Sequence, residues 1–351
     1  MSRFGSLKAA VLGTLRPLVR DLGAELLHRS TLTHPARMAD GKLTIVTFHR
    51  VLPEELLREY PIPSIAVTPE ELDWFLRLFE AHYTVGTLAE VGTRFALGDR
   101  PERPLLAITF DDGQLDNYEH ARPVLAQHGA HASFFVVVEA TEHNQTLWHD
   151  RIAYGVAKLL VQERSAAQPL LLELGVPADA ADPQNAAVAQ VKRLTPEARD
   201  AWLGKLEREL GGSTRPSWDG MMSWQQLREL HDEGHEIGSH SSTHAILPLV
   251  SDAQLEAEIA GSRRALRDKL GFEIQSFCYP NGDYDQRAVH VVERAGYRHA
   301  VTTRYGINAA EASPYTWRRL DMQGSHARKS SGDFSEARLL LRLTGRLPSA
   351  Y

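Results

Sequence analysis

The chain of 351 residues contains a single cysteine, Cys278, so an internal disulfide framework is excluded. Scarce cysteine is typical of a reducing compartment, and we expect a cytoplasmic protein. The sequence also lacks any apolar run near the ~18 residues that a membrane-spanning helix requires. Its net charge of −6 leaves no general basic excess, so we expect no nucleic-acid partner.

The first 29 residues are locally basic, with five Lys or Arg against two acidic residues. They are predicted to form an amphipathic helix. The apolar stretch Ala9–Leu15 contains a glycine and is followed at once by Arg16 and Pro17, which makes a poor signal-peptide core. We therefore predict a surface helix, with a peripheral membrane contact as the alternative. Residues 1–40 are assigned to an N-terminal helical extension.

Strand and helix patterns alternate along most of the chain, which indicates an α/β layer fold. Short apolar runs predict strands at Leu43–Phe48, Pro104–Phe110, Ser133–Val138, Glu236–Ser239, Ser276–Tyr279 and His299–Thr303. Apolar spacing and capping patterns predict helices at Pro69–His82, Tyr118–His128, Ser223–Glu233, 251–271 and Gln286–Ala295. Strands separated by helices of this length imply a parallel sheet with right-handed crossovers.

The alternation breaks between Leu147 and Met222. Two segments there have helical patterns, Trp148–Leu160 and Pro196–Leu210, and the stretch Ser165–Gln190 is rich in Ala, Pro and Gln. We interpret residues 147–222 as a helical insertion between two core strands, rather than as an independent domain.

Two motifs carry residues that suit a metal ion. The motif Thr-Phe-Asp-Asp-Gly ends a predicted strand with Asp111 and Asp112, and a cation would offset the cost of burying adjacent carboxylates. The second motif places His240 and His244 four residues apart, so both imidazoles can reach one ion. Taken separately, the Asp-Gly pair also fits a plain turn, and 16 histidines make a spacing of four easier by chance.

Together the two motifs make a stronger pattern. One carboxylate and two histidines leave positions open for water and substrate, as hydrolytic metal sites require, and the second carboxylate is then free to act as a base. The carboxyl ends of parallel barrel strands share one rim, so His49, at the end of the first strand, is expected there as well. A third motif, Phe277–Gly282, predicts a rigid turn that exposes a backbone amide at the same rim.

In this order, the motifs resemble those of the polysaccharide deacetylases, the NodB-homology group known as carbohydrate esterase family four. The stretches Ala132–Val136 and Ala295–Tyr297 support the resemblance, which spans Thr44 to Asp321 apart from the insertion. It implies an α/β fold, a distorted (β/α) barrel with fewer than eight complete units and a helical insertion between core strands. We accordingly assign residues 41–325 to the catalytic domain and 326–351 to a C-terminal extension.

The resemblance also implies roles for residues. A divalent metal, zinc first and other transition metals as alternatives, would be held by Asp112, His240 and His244. Asp111 would be the general base, and the backbone amide of Asn281 would help to hold the oxyanion. The implied activity is metal-dependent removal of N-acetyl groups from an amino-sugar polysaccharide or glycan precursor, with an N-acetylated glycan or oligosaccharide as the binding partner.

Three further residues are assigned to substrate binding: Tyr279 and Pro280 in the turn motif, and Trp148 at the start of the insertion. Trp148, His149 and Asp150 follow the third strand and could line a sugar subsite, and aromatic faces stack on sugar rings, which favours Trp148. A tryptophan that opens a helix is nevertheless more often part of a core.

The sequence departs from the family pattern at two places. Many members carry an arginine in the turn motif that braces the catalytic aspartate, whereas this chain has Cys278; Arg318 or Arg319 could supply the charge from elsewhere. Many members also carry a late Leu-x-His whose histidine is the general acid, and no such motif is present here. We assign His49 as the acid or as a supporting group, since some exopolysaccharide-type deacetylases carry a histidine there.

Three alternatives remain open from the sequence. The same site could act as an amidohydrolase on a non-sugar C–N bond, as in allantoinase-like relatives. The chain could be a catalytically inactive glycan-binding module, although the four site positions Asp111, Asp112, His240 and His244 are all filled. It could also be a membrane-associated assembly protein that uses its N-terminal helix.

Overall fold

The computed structural model describes residues 20–30, 32–212 and 215–345. Most of the predicted amphipathic N-terminal helix, and with it the predicted membrane contact, lies outside this range; residues 20–29 are helical. In the described part of the chain, no helix is both long and apolar enough to cross a membrane.

Seven parallel strands form a closed barrel. They hydrogen-bond in the order β1-β10-β9-β8-β7-β6-β5, and the ring closes where all six residues of β1 pair with β5. The predicted distorted (β/α) barrel with fewer than eight units is therefore confirmed. The strands are β1 (Leu43–Phe48), β2 (Arg50–Val51), β3 (Ala66–Val67), β4 (Thr84–Gly86), β5 (Leu105–Phe110), β6 (Ser133–Val136), β7 (Glu236–Ser239), β8 (Ser276–Cys278), β9 (His299–Tyr305) and β10 (Trp317–Asp321).

The remaining three strands lie outside the ring. β4 pairs with residues 105–107 of β5, before the point where β6 joins the same edge at Thr109. β2 and β3 form a separate parallel pair. Every residue of β1, β5 and β6 is buried, as expected for barrel strands covered on both faces.

Helices surround the barrel and connect its strands. The predicted helix Pro69–His82 is confirmed and begins with a capping box at Thr68 and Glu71. The region predicted as Tyr118–His128 is a π-helical turn, Asn117–Ala121, followed by the helix Arg122–His128, which restarts next to Pro123. The other helices outside the insertion are Pro35–Met38, Glu54–Glu59, Leu88–Ala96, Val138–His143, Trp224–Asp232, Asp252–Glu256, Ser262–Leu270, Gln286–Arg294, Gly324–Ala327 and Glu336–Leu343.

The insertion lies between β6 and β7, as predicted, and is largely helical. Its residues pack into a hydrophobic cluster of their own, which also takes in Leu52, Tyr60 and Ile62 from the segment after β1. The stretch rich in Ala, Pro and Gln contains two helices. The four insertion helices are Trp148–Gln162, Arg164–Glu173, Pro183–Val191 and Pro196–Leu210.

The first and the last described helices both dock on the barrel domain. Leu339, Leu340 and Leu343 of the last helix belong to the main hydrophobic core. Asp21, in the helix of residues 20–29, accepts hydrogen bonds from the backbone and side chain of Ser330. Packing is therefore continuous across the predicted boundary between residues 325 and 326, and the assignment of separate extensions stays a prediction.

Candidate active site

The carboxyl ends of the barrel strands bring the predicted site residues together on one rim. Asp112, His240 and His244 are buried, and their ligand atoms lie within 4.8 Å of one another. All three lie in the segments that follow strands, because Asp112 comes shortly after β5 and the two histidines come after β7. Closure of the barrel thus unites motifs more than 120 residues apart in the sequence.

The spacing of these side chains fits a single divalent cation. Asp112 Oδ1 lies 3.5 Å from Nε2 of His240 and 3.5 Å from Nε2 of His244. These separations are long for hydrogen bonds but match the ~3.4 Å between ligands placed ~2.0–2.1 Å from a tetrahedral zinc ion. His240 Nδ1 lies 2.8 Å from the carbonyl oxygen of Cys278, which can only accept, so Nδ1 carries a proton and Nε2 is the nitrogen that faces Asp112.

Asp112, His240 and His244 form a trio in which the charge states of Asp112 and His244 suit the same role, whereas the burial of His240 is outweighed by Cys278 and Asp112, which raise its pKa well above its ordinary value. Burial alone would raise the pKa of Asp112, but the adjacent His240, His149 and His244 rings hold it well below its ordinary value. Burial, together with neighbouring His240, holds the pKa of His244 well below its ordinary value. An ionised carboxylate beside a neutral imidazole is the form in which both groups bind metals.

Asp111 is braced by an arginine from the opposite end of the sequence. Arg319 on β10 donates from Nη1 to Oδ1 at 2.7 Å and from Nη2 to Oδ2 at 2.6 Å, and both residues are 1% exposed. Burial raises the pKa of Asp111, but the guanidinium charge outweighs it and holds the pKa below its ordinary value. Arg319 also donates to Cys278 Sγ at 3.2 Å. Of the two arginines considered from sequence, the structure therefore selects Arg319, and Arg318 is exposed.

His49 lies on the open side of this carboxylate. Its Nε2 is 3.8 Å from Asp111 Oδ2, and its side chain is 25% exposed. The side chain amide of Asn117 donates to the His49 carbonyl oxygen at 2.8 Å, which fixes the backbone. The structure therefore places His49 within reach of a reacting group beside Asp111.

The backbone at the site is strained. Among the described non-glycine residues, five have positive φ, and four of them lie in the site motifs: Asp112 (77°), Ser241 (68°), His244 (57°) and Asn281 (56°). Asp112 and His244 belong to the trio that could hold a cation. Such conformations cost free energy and cluster where function requires a particular geometry.

The turn motif is held against β9. Gly282 has φ 74°, and a Cβ there would lie 2.0 Å from Thr303 Oγ1 and 2.4 Å from Thr303 N, so glycine is required. Thr303 Oγ1 in turn donates to the Asn281 carbonyl oxygen at 3.0 Å. This packing holds Asn281 at the rim, where its side chain lines a cavity.

The cavity, of about 180 Å³, opens above the trio. The barrel rim supplies one wall, including His49, Asp111 and Asn281. The insertion supplies another wall through four residues, none of which was assigned a site role from sequence. These are His149, Asn185, Val188 and Lys192.

The three predicted substrate-binding residues do not line this cavity. Tyr279 is fully buried, and its hydroxyl donates to the Tyr315 carbonyl oxygen at 3.0 Å. Pro280 is buried in the turn. Trp148 is 5% exposed and its Nε1 donates to the His244 carbonyl oxygen at 3.0 Å, so it supports the backbone of His244 from behind.

His149 was considered from the sequence only as a neighbour of Trp148, and no sequence motif identifies Lys192. His149 Nε2 lies 3.7 Å from Asp112 Oδ2, and the neighbouring Asp150 lies 3.9 Å from the same nitrogen. Lys192 follows the helix Pro183–Val191 in a stretch of ordinary composition. Only the fold of the insertion over the rim brings them to the site.

A closed parallel barrel with a braced carboxylate beside an Asp-His-His cluster defines a hydrolase with its site on the strand ends. Residues 98–300, more than half of the chain, match the sequence profile of the family described as polysaccharide deacetylase. The chain therefore belongs to the polysaccharide deacetylase family, and it is a hydrolase of the deacetylase type.

Two individual relatives carry names that agree with this family. YxkH of Bacillus subtilis (strain 168), named after the same family, is 20% identical over 298 residues, covering 85% of this chain and 77% of that protein. Chitin deacetylase 2 of Cryptococcus neoformans is 32% identical over 74 residues, which are 21% of this chain and 16% of that protein.

Two solved structures share the fold. The Streptococcus pyogenes deacetylase PplD, in complex with acetate, has a TM-score of 0.58 at 18% identity and covers 86% of this chain and 98% of its own. IcaB from Ammonifex degensii has a TM-score of 0.55 at 17% identity, with 88% and 98% covered.

Proposed function

We propose that this protein removes N-acetyl groups from an amino-sugar polysaccharide or glycan precursor, with a divalent cation at Asp112, His240 and His244. The observation that carries the proposal is the ionised, arginine-braced Asp111 beside three buried groups whose spacing suits one cation. Membership of the polysaccharide deacetylase family and the local similarity to a chitin deacetylase support the choice of an acetylated glycan.

The residues would share the work as follows. A cation bound at the trio would supply Lewis acidity, which polarises the acetamide carbonyl and activates water. Asp111, kept ionised by Arg319, accepts the proton of the attacking water. The backbone amide of Asn281, in the rigid turn at the rim, donates to the developing oxyanion.

The departing amine must receive a proton. His49 is the group that we assign to this step, because its ring lines the cavity and its Nε2 is 3.8 Å from Asp111 Oδ2. Asp111 and His49 then form a base and acid pair at the carboxyl ends of the neighbouring strands β5 and β1. Replacement of His49 by alanine with full retention of turnover would rule out this assignment.

The direct test is mass spectrometry of acetylated compounds after incubation with metal-loaded wild-type protein. The panel contains N-acetylated oligosaccharides and non-sugar amides, including allantoin, so that an amidohydrolase acting on other C–N bonds is distinguished. We expect acetyl loss from amino sugars alone, absent after chelation and at least about 100-fold slower for Asp111→Asn. No acetate release from any amino sugar would overturn the proposal.

A further inference from the structure

Lys192 is a positive charge that the insertion places in the wall of the active-site cavity. Its Nζ donates to Asn281 Oδ1 at 2.6 Å. Among the described residues, no carboxylate oxygen lies within 4.0 Å of this nitrogen. Burial lowers the pKa of Lys192, as expected for an ammonium with incomplete compensation.

The partner of Lys192 is itself fixed. Asn281 Nδ2 donates to Asp283 Oδ2 at 2.5 Å, so its amide oxygen must face the lysine. Asp283 is exposed and its charge is screened by solvent, whereas the ammonium is partly buried at the cavity. The contact therefore holds Lys192 over the rim without neutralising it.

The charge balance of the cavity points to an anion. Asp111 is already neutralised by the two hydrogen bonds from Arg319. Asp112 carries one negative charge, and a dication at the trio would more than offset it. Lys192 would then add to an excess of positive charge in a space of about 180 Å³, which favours substrates with a negative charge.

We propose that Lys192 makes the site selective for glycans that carry an anionic group, a carboxylate or a phosphate, close to the N-acetylated sugar. The inference rests on the proposed function, because the positive charge of the cavity includes the cation. It also gives the insertion a role, which is to supply a substrate-binding cation that the barrel rim does not have. An ammonium acts on such a group as a point charge and accepts either anion.

The experiment compares kcat/KM for two matched pairs of substrates. The carboxylate pair is the hyaluronan tetrasaccharide against the neutral N-acetylglucosamine tetrasaccharide. The phosphate pair is N-acetylglucosamine 1-phosphate against the methyl glycoside of N-acetylglucosamine. The variants are Lys192→Met and Lys192→Arg, with Lys205→Met as the control, because Lys205 lies in the insertion but pairs with Glu173 away from the cavity.

Wild-type protein should prefer the anionic member of at least one pair, and the pair that shows the preference identifies the anion. Lys192→Met should reduce the ratio of anionic to neutral kcat/KM by about 10- to 100-fold, mainly through KM. Lys192→Arg should keep most of the preference and Lys205→Met all of it. The wild-type preference should also weaken as the salt concentration rises.

An unchanged ratio in a folded Lys192→Met variant, or no preference in the wild type, would overturn the inference. Calorimetric binding of the same four compounds to metal-loaded Asp111→Asn separates it from the proposed function; metal-loaded His49→Ala replaces this variant if it fails to fold. Tighter anion binding that depends on Lys192, without acetate release by the wild type, would contradict the proposed function alone. Equal binding of anionic and neutral compounds would contradict the inference alone.

Discussion

At the scale of single residues, this site differs from the family pattern in the arginine that pairs with Asp111. The turn motif has Cys278 where many members have arginine, and Arg319 reaches the same carboxylate from β10, 208 positions further along the chain. The guanidinium is satisfied on several sides, since its Nε also donates to the Thr302 carbonyl oxygen at 2.9 Å. The positive charge beside Asp111 is thus retained, although it comes from a different position in the sequence.

Replacement of Arg319 by lysine tests this brace. Lysine keeps the positive charge but loses the two parallel hydrogen bonds that orient Asp111. We expect kcat to fall roughly 10- to 100-fold with a smaller change in KM, because a misplaced base affects the chemical step. Steady-state kinetics would measure the changes in kcat and KM. Arg318→Lys, on the exposed face of the same strand, is the control. A wild-type kcat in Arg319→Lys would show that the two parallel hydrogen bonds from Arg319 are not needed for catalysis.

At the scale of secondary-structure elements, the turn after β8 depends on close packing against β9. A Cβ on residue 282 would meet both the side chain and the backbone nitrogen of Thr303. Gly129, which ends the helix Arg122–His128 with φ 58°, offers a matched position, because a Cβ there would have no neighbouring atom within 4 Å.

Gly282→Ala and Gly129→Ala therefore separate steric clash from backbone strain. Both incur the cost of positive φ, but only Gly282→Ala also displaces Thr303 and the rim residue Asn281. We expect a loss of unfolding free energy about 1–3 kcal/mol greater for Gly282→Ala, with a marked drop in kcat. Denaturant unfolding and acetate release would measure both effects. Equal behaviour of the two variants would contradict the packing account.

A second prediction at this scale concerns the pairing of two helices through His128. Its Nε2 lies 2.9 Å from Asp73 Oδ1 and its Nδ1 3.1 Å from Glu80 Oε2, both on the helix Pro69–His82. Burial alone would lower the pKa of His128, but the two carboxylates raise it above its ordinary value of 6.5. Because the folded pKa is raised, the stabilisation is complete below pH 6.5 and is lost as the pH rises through the folded pKa.

Unfolding free energies of wild type and His128→Gln, measured across this pH range, test the pair. The advantage of the wild type should shrink as the pH rises above 6.5. His143→Gln is the control, since His143 is largely exposed beside Glu139 and an exposed pair contributes little to stability. If the difference in unfolding free energy between wild type and His128→Gln grew with pH, it would contradict a stabilising role for protonated His128.

At the scale of the whole molecule, one buried arginine ties the insertion to the barrel. Arg50 on β2 pairs with Asp116 at 2.9 Å, with Asp219 at 2.8 Å and with Asp150 at 3.3 Å. Asp150 and Asp219 lie near the two ends of the insertion, and burial raises the pKa of Asp116 to about 6. The insertion that carries Lys192 is thus anchored by a buried ionic cluster.

Arg50→Met should destabilise the protein by about 3–5 kcal/mol, because it leaves three buried carboxylates without their cation. Hydrogen exchange should increase in the helix Trp148–Gln162. Arg58→Met is the control, because Arg58 and Glu54 form an exposed pair worth at most about 1 kcal/mol. Equal stability of the two variants would show that the cluster is not the anchor.

The sequence predicted the parallel α/β arrangement and the Asp and His motifs because short apolar strands and adjacent ligands are local patterns, and the barrel followed from the family resemblance. It did not predict β10, in which buried Trp317, Arg319 and Leu320 are interrupted by an exposed arginine that obscures the apolar run. The placement of Arg319 and Lys192 at the site depends on contacts between distant segments, which no local pattern encodes. Trp148 was assigned to sugar contact on its chemistry, whereas its position is set by the packing of the insertion.

Metal titration of chelated protein, with acetate release as the readout, tests directly whether catalysis depends on a cation at Asp112, His240 and His244. We expect activity to return in proportion to added zinc or another divalent ion, and to saturate at about one equivalent per chain. Asp112→Asn, which lacks one ligand charge, should need at least about 10- to 100-fold more free metal. Full acetate release by thoroughly chelated protein would contradict a metal-dependent hydrolase built on Asp112, His240 and His244.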